Sequence, residues 1–154
     1  MPYSYVPLPT DAVRAMQAGG PDAYGRPPER QVSDGTVGCR HCLRNIAEGD
    51  DCLLVAVRPF GALQPYAETG PLYLCAAPCA PAPAGAAMPE LLDSPSYILR
   101  GYDARERIIY GTGGVTATDG IDARLTSLLD RQDVAFVDIR SAANNCFQCR
   151  VTRA

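Results

Sequence analysis

Two cysteine pairs, Cys39-Arg40-His41-Cys42 and Cys75-Ala76-Ala77-Pro78-Cys79, restrict this chain more than any other feature. Each pair sits at an expected turn, where a tight backbone aims both sulfurs at one point. Four thiolates can then meet around a single tetrahedral zinc. A C-x2-C knuckle after Gly38, an antiparallel strand pair and a second ligand pair at the strand end make a treble-clef-like layout. The expected metal ligands are Cys39, Cys42, Cys75 and Cys79. Four thiolates leave zinc no open position for water, so the expected role is structural.

The seven cysteines are odd in number, and in a reducing compartment they serve as ligands, core residues or reactive thiols rather than disulfides. A competing quartet, Cys39 and Cys42 with Cys146 and Cys149, has the better numerical spacing. Cys146–Val151 reads as a strand, however, and residues three apart on a strand face opposite ways. Cys149 then joins Phe147 and Val151 on a core face, and Cys52 reads as a buried apolar residue. Free thiols filling a core, with no metal, are a third reading. A redox role for Cys39 and Cys42 lacks the apolar strand that precedes a thioredoxin-type motif.

His41 is the sole histidine, which excludes a metal centre built from two or three histidines of one chain. Inside a knuckle it is expected to be exposed or to donate to a backbone carbonyl. Arg40, His41, Tyr66 and Glu68 are candidate ligand contacts on loops beside the metal. A small-molecule enzyme using His41 and Glu68 is one alternative to a binding module. A thiol sensor using Cys39 and Cys42, or Cys146, is another. Asp138 and Arg140 alternate on one strand and read as an ion pair or as polarity at a sheet edge. Gly111-Thr112-Gly113-Gly114 lacks the Lys of a phosphate loop and the GxGxxG spacing, so it reads as a connection.

The remaining pattern places the elements. Tyr3 to Val6 reads as a short strand, and Asp11–Gln17 as a helix capped by Thr10 and stopped by Gly19-Gly20. Gly20 to Gly38 reads as an irregular cover. Cys52–Val57, apolar on both alternations, reads as a central strand pairing with Leu72–Cys75. Ala76–Met88 reads as an extended loop before a short helix from Pro89 to Asp93. Tyr97–Tyr102 and Arg107–Tyr110 read as strands joined by a turn. Ile121–Arg131 reads as a helix capped by Asp119 or Asp122, with Ile121, Leu125, Leu128 and Leu129 as its apolar stripe. Val134–Ile139 and Cys146–Val151 complete the strands.

At 154 residues, 47% apolar and 20% charged, the chain has the size and composition of one globular domain, expected to span 1–154. No apolar run approaches the roughly 20 residues of a membrane helix. Met1-Pro2-Tyr3-Ser4-Tyr5 has no basic segment leading into an apolar stretch, so a cytoplasmic location is expected. A net charge of −3 without a basic cluster argues against nucleic acid as a partner, leaving a small molecule or a protein.

With these residues in view, the chain resembles the bacterial domain family of unknown function numbered 1203. The resemblance runs through Cys39-Arg40-His41-Cys42-Leu43, the Gly49–Pro59 strand, Pro65-Tyr66-Ala67-Glu68, and Tyr97–Tyr102 with Asp103-Ala104. It continues through Val134–Ile139, Ala142, Cys146, Arg150-Val151 and Arg153-Ala154. It implies a bacterial protein with no activity attached to it. It further implies that zinc belongs to a subgroup of the family and that the fold stands without it. The family ending often carries a His-Asn pair where this chain has Arg140-Ser141. The expected protein is α+β, with a mostly antiparallel sheet of about five to six strands, two to three helices and a zinc knuckle. The expected function is that of a zinc-stabilised binding or regulatory module.

Overall fold

Cys52–Val57 is an uninterrupted apolar run, and it lies at the centre of its sheet. The computed structural model describes residues 3–154; Met1 and Pro2 lie outside the described residues. The strands are β1 (Tyr3–Val6), β2 (Glu29–Val32), β3 (Asp51–Val57), β4 (Gly70–Cys75), β5 (Ser96–Tyr102), β6 (Gly114–Ala117), β7 (Phe136–Ser141) and β8 (Phe147–Arg153). The helices are α1 (Thr10–Gln17) and α2 (Ile121–Leu129). One sheet has five strands in the order β1-β8-β7-β5-β6, and the other has three in the order β2-β3-β4. All of these pairings are antiparallel. The α+β class and the mostly antiparallel sheet agree with the sequence. The strands are more numerous than expected and divide between two sheets.

Each sheet has its own core. On the five-stranded sheet, Tyr97, Leu99, Val137, Ile139, Cys149 and Val151 pack against Ile121, Leu125 and Leu128 of α2. On the three-stranded sheet, Leu53, Val55, Leu72 and Leu74 pack with Val13 and Met16 of α1 and with Cys39 and Cys52. Phe147 of β8 belongs to that second core. Arg40 adds a polar link, donating from Nε to the Phe147 carbonyl at 2.7 Å.

Several local expectations are corrected. Gly20–Gly38 contains β2, whose four residues are all exposed, so backbone pairing to β3 holds it where no apolar alternation could reveal it. Arg107–Tyr110 is not a strand: only Ile108 bridges to Tyr102. There the Thr112 hydroxyl accepts the Gly101 N–H at 2.9 Å, which stops the ladder, and β6 takes the edge beside β5. Pro89–Asp93 is a single turn, closed by the Leu92 N–H on the Pro89 carbonyl at 3.1 Å. The last two strands lie one or two residues later than expected.

The expected caps also differ. Pro9 holds the N-cap position of α1 with no side-chain cap bond, and Gly120 holds that of α2. Asp122 instead accepts a hydrogen bond from the Tyr3 hydroxyl. Asp138 and Arg140 lie on the central strand of their sheet rather than at an edge. They do not pair with each other: Asp138 pairs with Arg150, and Arg140 with Glu68.

Candidate metal centre

Gly38 and Asn45 form an antiparallel bridge that closes the knuckle. A Cβ on Gly38 would lie 2.7 Å from that of Leu91, so the backbone passes where no side chain fits. Inside the bridge, Leu43 takes a positive φ of 58°. Its N–H donates to the Cys39 carbonyl, and the Cys39 N–H donates to Arg44, both at 2.9 Å. This doubled turn presents Cys39 and Cys42 to the same side. The Arg40 N–H donates to the Tyr73 carbonyl at 3.2 Å, which lays the knuckle along β4. Cys75, the last residue of β4, thereby arrives beside Cys39.

The four Sγ atoms of Cys39, Cys42, Cys75 and Cys79 all lie within 4.8 Å of one another. Cys39 and Cys79 are 3.9 Å apart, and Cys42 and Cys75 are 4.0 Å apart. A tetrahedron with metal–sulfur bonds of about 2.3 Å has edges of about 3.8 Å, so the donor set fits one ion of that size. The His41 and Cys75 N–H groups also point at Cys39 Sγ, at 3.4 and 3.3 Å. The competing set does not assemble: Cys149 is fully buried in the core of the five-stranded sheet, and Cys146 lies in the β7–β8 turn.

Electrostatics favours a cation here. When protons alone occupy the cluster, hydrogen bonds from Cys42 and Cys75 hold the Cys39 thiol far below its ordinary range. Hydrogen bonding to Cys39, with its charge as a lesser cause, pushes Cys42 up to about 11, and hydrogen bonds to Cys39 and Cys42 raise Cys75 as well. Cys79 is raised as well, first by burial and then by Cys39. One thiolate excludes the next until a metal ion neutralises them together.

Helix α1 supports the second pair. Thr10, Arg14 and Gln17 lie on one face at helical spacing. Arg14 Nη2 donates to the Cys79 carbonyl at 2.5 Å. Gln17 Nε2 donates to the Cys75 and Ala77 carbonyls at 2.9 and 3.1 Å. The Thr10 hydroxyl lies 2.9 Å from His41 Nε2, and His41 Nδ1 lies 3.2 Å from Cys79 Sγ. His41 is therefore neither exposed nor bonded to a carbonyl. It is fully buried, bridging a helix hydroxyl and a ligand sulfur, and burial lowers its pKa. The sequence signal for this support is the polar 10/14/17 stripe, which the reading of capping alone overlooks.

The four contact candidates do not converge. Arg40 is buried, holding the Phe147 and Gly38 carbonyls. Glu68 bonds Arg100 and Arg140 at 2.8 and 2.9 Å, and the clefts it lines contain neither His41 nor a cysteine of the quartet. Half-buried Tyr66 meets the Tyr110 hydroxyl at 2.9 Å. No hydrogen bond joins His41 to Glu68. Among the described residues, no helix is long and apolar enough to cross a membrane.

The family model described as a protein of unknown function, DUF1203, matches residues 36–153. No curated protein and no solved structure matches the chain. The matched span includes all four cysteines of the cluster and leaves α1 outside. The chain belongs to the DUF1203 family.

Proposed function

We propose that this DUF1203 member is a single-domain binding or regulatory module of the cytoplasm, stabilised by one structural zinc ion on Cys39, Cys42, Cys75 and Cys79. The observation that carries the reading is the mutual approach of four sulfurs to within 4.8 Å. Zinc suits an all-thiolate tetrahedron, and four protein ligands leave no position for an activated water. The ion would join the knuckle to the end of β4, adding to the backbone bonds and the apolar packing of Cys39 and Ile46 against Leu72 and Leu74. A binding role is favoured over catalysis because His41 is committed to Thr10 and Cys79. Glu68 is equally committed to two arginines. Tyr66 and Glu68, on the loop between β3 and β4, are the candidates left to meet a ligand, whereas Arg40 is engaged with the Phe147 and Gly38 carbonyls and His41 with the cysteine cluster.

The test is metal content per chain, by inductively coupled plasma mass spectrometry, on protein purified without chelator or affinity nickel. One zinc per chain is the expected result. Cys42→Ser should lose the metal and melt at a lower temperature, since binding free energy at a structural site is also folding free energy. Unchanged metal content and melting temperature in that variant would overturn the proposal.

A further inference from the structure

The face of the five-stranded sheet opposite α2 carries charge. In register, Arg100 of β5 lies opposite Asp138 of β7, and Asp138 opposite Arg150 of β8. Tyr102 and Arg140, two residues along from Arg100 and Asp138, share that face by strand alternation. Such a face ordinarily meets water, yet here it is covered: Tyr102 and Asp138 are fully buried, and Arg140 is 5% exposed. Part of the cover is the loop after β3, where the Pro59 carbonyl accepts from Arg150 Nη2 at 2.7 Å.

The carboxylates are shared unevenly among the three guanidiniums. Asp138 takes Arg150 in a two-point pair at 2.7 and 3.0 Å, and Glu106 lies 3.8 Å from the same arginine. Arg100 and Arg140 are left with a single carboxylate, Glu68, which touches both. Polar atoms on these side chains also lack protein partners: Arg100 Nε, Arg140 Nη1 and the Tyr102 hydroxyl, each buried. Burying a cation without a full complement of acceptors is costly, and the partly exposed carboxylate that Arg100 and Arg140 share marks a position suited to an anion from outside. Beside it lies a cleft of about 340 Å³, lined by Glu68, Arg140, Asn144, Asn145, Cys146 and Phe147. That volume is in the range of small-molecule sites.

We propose that this cleft binds a small molecule through a carboxylate or phosphate group, received by Arg140 and Arg100 at the position Glu68 now holds. Glu68 is an internal stand-in for the ligand's oxyanion. Its side chain is 30% exposed, so it can turn to water as the ligand enters, and the two arginines always keep an acceptor. A two-oxygen anion can bridge the two guanidiniums with one oxygen to each, as the Glu68 carboxylate does. The inference names the ligand class of the binding-module reading and is independent of the metal.

The experiment is calorimetric titration of the full chain with inorganic phosphate and, separately, acetate, at matched ionic strength. Wild type, Glu68→Gln and Arg140→Gln are compared. Removing the internal competitor should tighten the anion by about tenfold in Glu68→Gln, and Arg140→Gln should lose it. Preference between the two probes assigns the group as phosphate or carboxylate. A second readout covers poor folding of Arg140→Gln: Cys146 lines the cleft, and saturating anion should slow its alkylation at least threefold (about the effect of majority occupancy) in wild type and in Glu68→Gln. No tightening in Glu68→Gln, or Cys146 alkylation indifferent to both anions, would overturn the proposal. Metal content of the same samples separates the two readings, since zinc without an anion effect defeats only the cleft, and an anion effect without zinc defeats only the metal.

Discussion

At the scale of single residues, His41 and Tyr102 make opposite cases. His41 is buried with both ring nitrogens engaged, one at Cys79 Sγ and one at Thr10. It would orient a ligand sulfur and withdraw charge from it without touching the metal. His41→Ala should therefore weaken zinc about 10- to 100-fold, measured by competition with a chromogenic chelator. Tyr102 is fully buried with an unpartnered hydroxyl. Removing that oxygen while keeping the ring stacked on Phe136 at 5.0 Å should leave stability unchanged or raise it by about 1 kcal/mol in denaturant titration of Tyr102→Phe. The cysteine cluster was legible from turn spacing together with strand alternation, which set aside the numerically better quartet with Cys146 and Cys149. The environment of His41 was not, because its two partners come from segments 31 and 38 residues away in sequence.

At the scale of elements, legibility followed burial. β3, β5 and α2 each bury a patterned set of apolar side chains, so their periodicity announces them. On α2, Leu125 is fully buried against the sheet. Leu125→Ala should cost about 2–5 kcal/mol, read from the denaturant midpoint. β2 and β6 are edge strands with mostly exposed residues, held by pairing to β3 and β5, and nothing local in their sequence specifies a strand. The charged face behaved similarly. Alternation tells which residues share a side, but not that a distant loop folds over it. Helix α1 is a mixed case: its apolar side was evident, while its polar side clasps the Cys75–Cys79 segment. The double variant Arg14→Ala/Gln17→Ala should leave α1 helical by circular dichroism yet speed metal release to a chelator severalfold, since the hydrogen bonds to three carbonyls of the Cys75–Cys79 segment are gone.

At the scale of the whole molecule, the buried tyrosines set an alkaline limit. Burial raises Tyr3 and Tyr102 to about 12, with Asp122 adding to the effect at Tyr3, and Tyr5 is raised as well. Folded values above the ordinary value near 10 mean that the protonated form is favoured by folding. The stability is fully present below about pH 10 and is lost as pH climbs from there to about 12, by about 2–3 kcal/mol for Tyr102. Denaturant midpoints taken from pH 8 to 11 should be flat at first and then fall, alongside phenolate absorbance. The Arg40 link and the shared Phe147 join the two sheets, so far-ultraviolet and tyrosine signals should give coincident unfolding curves.

The pairing of β1 with β8, Tyr3 opposite Arg153, has a consequence in time. During synthesis β1 emerges long before its partner exists, whereas every cysteine of the cluster has left the ribosome once residue 79 has. The cluster and the β3–β4 hairpin can form while β1 still waits, and the wide sheet closes only after β8 arrives, across the longest loop in the fold. In refolding with metal present, amide protection in β3 and β4 should precede protection in β1 and β8. An ion held by the cluster would thus belong to the beginning of the folding sequence, and the arginine face, which needs β5, β7 and β8 together, belongs to its end.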